Sequence, residues 1–337
     1  MCTAFPPDYD NPSQYARSGN VKPYFERGWC FCESSWAAMV KHFALVLDLG
    51  KIAGEGRFYA YQCVQGHKAP VLPGEFVAQL VCKGFTNGNT DTPLVARLYR
   101  EGFEARFGVA TKLSYARLGW GDEEARAVAR VLLRAPALKE LNLGNNSIGD
   151  EGARALAEAL PHAPAMQVLG LDGNSIGAEG ARALAEALPH APTLKELSLQ
   201  FNSIGDEGAR ALAEALPHAL ALKMLDLYGN SIGAEGARAL AEALPHAQVL
   251  KMLDLCVNST GDEGARALAE TLPHALALEA LRLDGNSIGA EGARALAEAL
   301  PRAPALKTLW LQDNSIGDEA KAALRTAWGT RGGGLYI

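Results

Sequence analysis

The sequence predicts an α/β chain whose larger part is a curved solenoid, with a parallel sheet on the inner side and helices on the outer, preceded by a smaller α/β region. Three observations predict it. An asparagine recurs every 28 residues, at Asn146, Asn174, Asn202, Asn230, Asn258, Asn286 and Asn314. Around each one the apolar residues alternate, as Leu141, Leu143 and Ile148 do, which marks a half-buried strand and its turn. Beyond it Ala153, Leu156, Ala157 and Leu160 fall at helical spacing. Each unit is therefore one short strand, a turn and one helix. No unit stands alone: burying four or five large aliphatic side chains gains roughly 1.5–3 kcal/mol each, whereas ordering the backbone of a unit costs on the order of 1–2 kcal/mol per residue. Stacking the apolar face of one unit on the next closes that gap.

The unit LKELNLGNNSIGDEGARALAEALPH, Leu138 to His162, gives the pattern L-x-x-L-x-L-x-x-N-x-I-G followed by D/A-E-G-A-R-A-L-A-E-A-L. It resembles the leucine-rich repeat of the ribonuclease-inhibitor type, also found in NOD-like receptors. The resemblance covers about Lys112 to Trp328. It implies a horseshoe in which the asparagine side chain bonds main-chain groups inside the turn, and a receptor-like or regulatory setting.

Residues 1–110 are free of the repeat and read as a separate N-terminal region. FPPDYDNPSQY opens it as loop. A helix is expected over Glu33–Phe43, a strand over Ala44–Leu49, and further helices over Glu75–Val81 and Pro93–Phe103, joined by FTNGNTD. RGWCFCESSW, Arg27 to Trp36, is its sharpest motif. Its W-C-x-x-E core, with Tyr24 upstream, is similar to a segment of Toll/interleukin-receptor domains. In enzymatic members of that family the Glu at this position acts on the ribose of NAD, so Glu33 is the candidate catalytic residue that the resemblance implies. The region would then be a truncated domain of that kind, because the family's first strand and nucleotide loop would precede Met1 and its next strand and Pro-rich loop have no match after Phe43. The plainer alternative is a core tryptophan beside a solvated glutamate. Cys30, Cys32, Cys63 and Cys82, with His42 and His67, are poorly spaced for a structural zinc site, and reduced, buried cysteines fit better.

Residues 111–328 hold eight units. Leu113, Tyr115, Leu118 and Trp120 precede Leu141, Leu143, Asn146 and Ile148 by one period, and Asp122–Leu132 repeats the helix. Lys112–Leu133 is thus a degenerate first unit whose aromatics suit it to join the stack to what precedes it. At the far end Lys321 replaces a core alanine, and Trp328 replaces a leucine and covers the last core. Residues 329–337, rich in glycine, are expected to be a loose tail.

Composition excludes several classes. The net charge of −6 spread over 337 residues argues against a nucleic-acid partner, and no apolar run approaches a membrane span. Met1–Tyr9 has no basic start or apolar core, and the six cysteines form no even framework, so a cytoplasmic location is expected. Of the sequons at Asn145 and Asn258, the second falls on a turn asparagine that must stay buried. Neither G-x-x-x-x-G-K-[ST], G-x-S-x-G nor H-E-x-x-H occurs, and no cofactor or metal is implied.

A second period overlies the first. Asp150, Ala178, Asp206, Ala234, Asp262, Ala290 and Asp318 alternate, and Gly173, Gly229 and Gly285 occur only in the Ala-type units. Ribonuclease-inhibitor-type proteins are similar in alternating two kinds of unit. Function is read from where the copies differ. The strand positions facing the concave side run Asn142, Gly170, Ser198, Asp226, Asp254, Arg282, Trp310 and, two residues on, Gly144, Asp172, Gln200, Tyr228, Cys256, Asp284, Gln312, with Phe201, Met224 and Met252 beside them. A rigid sheet showing a different side chain on each rung is a recognition surface, and Trp, Tyr and Arg dominate interface energetics. Asp226, Tyr228, Asp254, Arg282, Asp284 and Trp310 are therefore the candidate contacts for a protein partner, the acids steering a partly positive one; drift at unconstrained positions is the competing account.

On the outer side, His162, His190, His218, His246 and His274 repeat one polar helix-end position, too far apart to share a metal. Arg154 and Glu158 with their copies are expected to pair at i,i+4. The unit around Asp254–Thr271, with Thr260 in place of isoleucine, is expected to be the weakest. The leading function is a non-enzymatic interaction scaffold. A Toll/interleukin-receptor-like NAD hydrolase coupled to a repeat sensor is the alternative, and a GTPase-activating solenoid a third that no residue singles out.

Overall fold

A computed structural model describes residues 68–83, 88–331 and 333–337. Glu33 with its motif, and Cys30, Cys32 and Cys63, lie outside the described residues.

Among the described residues nine strands form one parallel sheet in chain order, each paired in register with the next. They are Lys112–Ser114 (β1), Glu140–Asn142 (β2), Val168–Gly170 (β3), Glu196–Ser198 (β4), Met224–Asp226 (β5), Met252–Asp254 (β6), Ala280–Arg282 (β7), Thr308–Trp310 (β8) and Gly334–Tyr336 (β9). Among the described residues two helices precede the sheet, Pro73–Leu80 (α1) and Gly88–Phe107 (α2). The strands then alternate with Asp122–Leu132 (α3), Asp150–Ala159 (α4), Ala178–Ala187 (α5), Gly205–Ala215 (α6), Ala234–Ala243 (α7), Gly261–Thr271 (α8), Ala290–Ala299 (α9) and Asp318–Trp328 (α10). From α4 to α9 each helix runs into a short 3-10 turn such as Leu160–His162, where the Pro at its second residue cannot continue the α-helical bonding.

The repeated leucines and alanines build one continuous core running from Phe76 to Trp328. In α1 and α2, Phe76, Tyr99, Phe103 and Phe107 are buried, Phe76 and Tyr99 stack at 3.7 Å, and the Tyr99 hydroxyl donates to Val71 O at 2.8 Å. These helices cover the first unit, where Trp120 is buried and packs on Tyr115 at 4.8 Å. Arg130 of α3 pairs with Glu75 of α1 at 3.1 Å across this junction.

Each asparagine ties two units together. The Asn146 amide donates to Tyr115 O of the preceding unit at 2.9 Å and to Leu143 O of its own at 2.8 Å, while its Oδ1 accepts the main-chain N–H of Leu118 and Trp120. Asn258 does the same with Leu227 O and Leu255 O, each at 3.0 Å, and accepts from Asn230 N and Ile232 N. Four main-chain groups that stacking would otherwise leave unpaired are satisfied by one side chain. Asn258 is only 7% exposed, so its sequon is closed to a glycan.

The two-unit period has a physical origin. In an Asp-type unit the helix-start carboxylate reaches the helix of the next unit: Asp150 Oδ1 accepts the N–H of Gly177 at 2.7 Å and of Gly180 at 2.8 Å. Asp206 does so for Gly233 and Gly236, and Asp262 for Gly289 and Gly292. A helix N-terminus has unsatisfied N–H groups and a positive dipole end, and these carboxylates answer both from the neighbouring unit. Ala178 and Ala234 cannot. The helices that follow them, α6 and α8, instead open at Gly205 and Gly261, with φ of +61° and +60°, whose N–H groups donate to Asn230 O and Asn286 O.

A second alternation lies at the strand ends. Asn145, Gly173, Phe201, Gly229, Val257, Gly285 and Asp313 all have left-handed φ. Glycine adopts it freely, whereas a bulky or β-branched residue does so at a cost on the order of 1–3 kcal/mol. The glycines also make room: a Cβ on Gly229 would lie 3.0 Å from the Phe201 ring, and one on Gly285 3.3 Å from Val257 Cγ2. Large side chain and glycine therefore alternate because each large one leans over the next rung.

Two expectations are corrected. Residues 329–337 are not a loose tail, since Gly334–Tyr336 is the ninth strand, paired to Thr308–Trp310. Arg331 anchors the approach by donating to Ala303 O at 2.8 Å and to Leu300 O, and its guanidinium lies over the Trp328 ring. Leu335 pairs with Leu309 and packs on the core, so the burial of one leucine and a row of sheet bonds offset the entropy of the glycines. The surface arginines also choose other partners: Arg154 pairs with Glu151 at 2.9 Å, one turn toward the N-terminus, and Arg182 with Glu179 and Arg238 with Glu235 likewise, at i,i+3, while Arg266 and Arg294 reach Glu291 and Glu319 of the next unit.

Candidate functional site: the concave face

The alternation of each strand sends its leucines into the core and leaves three side chains per rung on the concave side. Parallel register then stacks equivalent positions into columns about 4.8 Å apart. The middle column runs Asp226, Asp254, Arg282, Trp310 and Tyr336, and its side chains are joined from Asp254 onward. Arg282 Nη1 bonds Asp254 Oδ2 at 2.8 Å, the Arg282 guanidinium lies over the Trp310 ring at 5.5 Å, and Trp310 stacks on Tyr336 at 5.4 Å and 10°. Tyr336 was not among the residues read from the sequence. Its signal was Leu335, a strand leucine two residues ahead of the period, hidden by the surrounding glycines.

Burial revises two of the candidates. Asp226 and Asp254 lie on the concave face but are only 3% and 1% exposed, so they do not present their carboxylates to solvent. Neighbouring rungs and their own backbone cover them: the Gln200 amide of the preceding rung donates to Asp226 Oδ2, Tyr228 N of its own rung to Asp226 Oδ1 at 3.2 Å, and Cys256 N of its own rung to Asp254 Oδ1 at 2.9 Å. Asp254 has an arginine to balance its charge; Asp226 has only neutral donors. Burial, with the Asp254 charge beside it, holds the Asp226 carboxyl above the ordinary aspartate range. Asp284 is half-buried and accepts from Gln312 N at 2.9 Å and from the Cys256 thiol at 3.0 Å. Burial, then the carboxylates of Asp284 and Asp254, push that thiol well up, so it stays protonated and unreactive.

Tyr228, Arg282 and Trp310 remain partly exposed, with Met224 and Met252 paired beside them on neighbouring rungs. Phe201, 56% exposed, meets Tyr228 edge to face at 4.6 Å. The surface is thus an aromatic and sulfur-bearing strip, with the partly exposed Arg282 paired to Asp254 and Asp284 through its middle. Among the described residues no group of three or more His, Cys, Asp or Glu side chains could hold a metal, and no helix is long and apolar enough to cross a membrane.

Comparison with known proteins agrees with the repeat. The family described as Leucine Rich repeat matches residues 136–157, 162–185, 190–213, 222–241 and 277–297, and passes over the unit that holds Thr260. Nothing among curated protein sequences matches the chain. Among solved structures, the tropomodulin C-terminal domain of Caenorhabditis elegans is 19% identical over 44% of this chain and 92% of its own, with a TM-score of 0.37. The actin-binding site 2 of leiomodin-1 is 22% identical over 44% of this chain and 86% of its own, with a TM-score of 0.38. The repeat sequence, the ladder of asparagines and the in-register sheet together make residues 112–336 a curved α/β solenoid of leucine-rich repeats.

Proposed function

We propose that the chain is a non-enzymatic scaffold that binds a protein partner on the concave face of its repeats, in a cytoplasmic, regulatory or receptor-like setting, as ribonuclease-inhibitor-like repeats of two alternating kinds imply. The observation that carries this is the contrast between conserved and varied positions within one chain. The inward leucines and the helices are nearly identical from unit to unit, whereas the concave columns change at almost every rung and gather Tyr228, Arg282 and Trp310 with two methionines on one side. Such side chains supply most of the energy of protein interfaces, because they bury large area at little conformational cost. The joined column also fixes its side chains before a partner arrives, which lowers the ordering cost of binding.

The test is capture from a lysate with the full chain and with a Tyr228→Ala/Trp310→Ala variant. Both side chains are partly exposed, so the variant should fold, and circular dichroism checks that it does. A partner held by the parent should be lost or weakened by about ten-fold or more. Equal recovery of every bound protein by the two forms would remove the concave face as the binding surface.

A further inference from the structure

We propose that the rim of the concave face at Phe201 and Val257 is a docking ridge for a cationic segment of the partner protein, one that carries two apolar side chains about 10 Å apart flanked by lysine or arginine. This rests on the reading that the solenoid binds a protein, and adds where the partner's chain lies and what chemistry it has.

Three independent observations meet at these two residues. The first is backbone: Phe201 and Val257 hold φ of +50° and +51°, while the rungs between and after them carry glycine in the same conformation. A β-branched residue in the left-handed region is a true outlier, and strain of this kind concentrates where a protein recognises something. The second is exposure, 56% for Phe201 and 47% for Val257, although both are large and apolar. Each leans over the glycine of the next rung, so the two stand in line two rungs apart with Tyr228 between them.

The third is charge. Residues 144–151 and their equivalents in the next six units hold fourteen carboxylates and no lysine, arginine or histidine. Much of that charge is already answered, since Asp206 and Asp262 bond helix N-termini and Glu151, Glu179 and Glu235 are each held by an arginine of their own helix. Four are different: Glu207, Glu263, Asp313 and Asp318 are exposed and make no ion pair among the described residues, and the first two belong to the same two units as Phe201 and Val257. Those are the units whose helices open one residue early, at Gly205 and Gly261. The ridge is therefore apolar, and each anchor is followed in its own unit by an exposed, unpaired glutamate in the first turn of the helix. A span of about 10 Å is met by residues three apart in an extended chain or seven apart in a helix.

The experiment titrates the full chain with a fluorescein-labelled synthetic peptide containing two phenylalanines three residues apart among lysine and serine, read by anisotropy. Two controls share its length: one with every lysine replaced by glutamate, and one with the phenylalanines adjacent. The proteins are the parent, a Phe201→Gly/Val257→Gly variant, and a Phe201→Asn/Val257→Asn variant that copies Asn145 at the equivalent rung. Both variants keep every charge and relieve the strained backbone, so their unfolding midpoints should stand at or above the parent's. The lysine peptide should bind the parent, bind both variants about ten-fold or more weakly, and lose affinity with added salt; both controls should bind poorly. Equal binding by parent and variants, equal binding of the glutamate peptide, or no binding to the parent overturns the ridge. If a partner captured by the parent is lost in Trp310→Ala but kept by the glycine variant, the ridge falls and the concave face stands.

Discussion

Ionising Asp226 works against its surroundings. Its pKa is raised by burial first and by Asp254 second, so the folded state holds the proton more tightly than the unfolded chain does. The ionised form therefore subtracts stability, a loss that is absent below 3.8, the ordinary value, and complete once the pH has risen through the folded one. Asp226→Asn should accordingly show a higher urea midpoint than the parent at pH 7, with the gap closing as the medium is made acid; a gap independent of pH would show that charge is not its cause. Thr260 is a different kind of defect. It is fully buried, its hydroxyl has no hydrogen-bond partner, and isoleucine occupies the equivalent place in the neighbouring units. Replacing it with isoleucine removes an unpaired polar atom and adds packing, and should stabilise the protein by about 1–2 kcal/mol in chemical denaturation. The sequence marked Thr260 as odd because its neighbours supplied the standard. It could not show that Asp226 and Asp254 are covered, since the side chains that cover them come from rungs 26 to 28 residues away.

At the level of strand, turn and helix, the repeat was legible almost in full, because both apolar periods are local and appear repeatedly. The reason for the Asp/Ala alternation was not, because each carboxylate acts on a helix it does not belong to. That arrangement gives an unusual expectation. Asp206→Ala should lower stability by about 1 kcal/mol, as the loss of a helix cap does, but the amides that exchange faster with deuterium should be Gly233 and Gly236 of α7, in the next unit. Asp206→Asn keeps an acceptor oxygen at the same place and should fall between the two. Faster exchange confined to α6 would contradict the assignment. The ninth strand was missed for a simpler reason: Arg331 and Tyr336 act through packing against Trp328 and Trp310, which a count of glycines does not register.

Across the whole molecule, stability is carried by contacts between neighbours, so the stack can open at one joint while the rest holds. The joint with fewest supports is the one entering the unit of Asp254–Thr271. No carboxylate from Ala234 reaches its helix, Val257 is strained, Thr260 is unpaired, and the Thr271 hydroxyl is turned back on Ala267 O and Leu268 O. Hydrogen exchange should therefore be fastest there among the inner units, and uniform protection along the array would refute it. The reach of Asp150, Asp206 and Asp262 into the following unit also sets a parity on the array. Excising one unit from the middle would either bring two alanine-bearing neighbours together, orphaning a helix, or crowd two bulky rims with no glycine between them. Excising an adjoining pair leaves every joint as it was, so divergence in length among descendants of this gene should run in even steps.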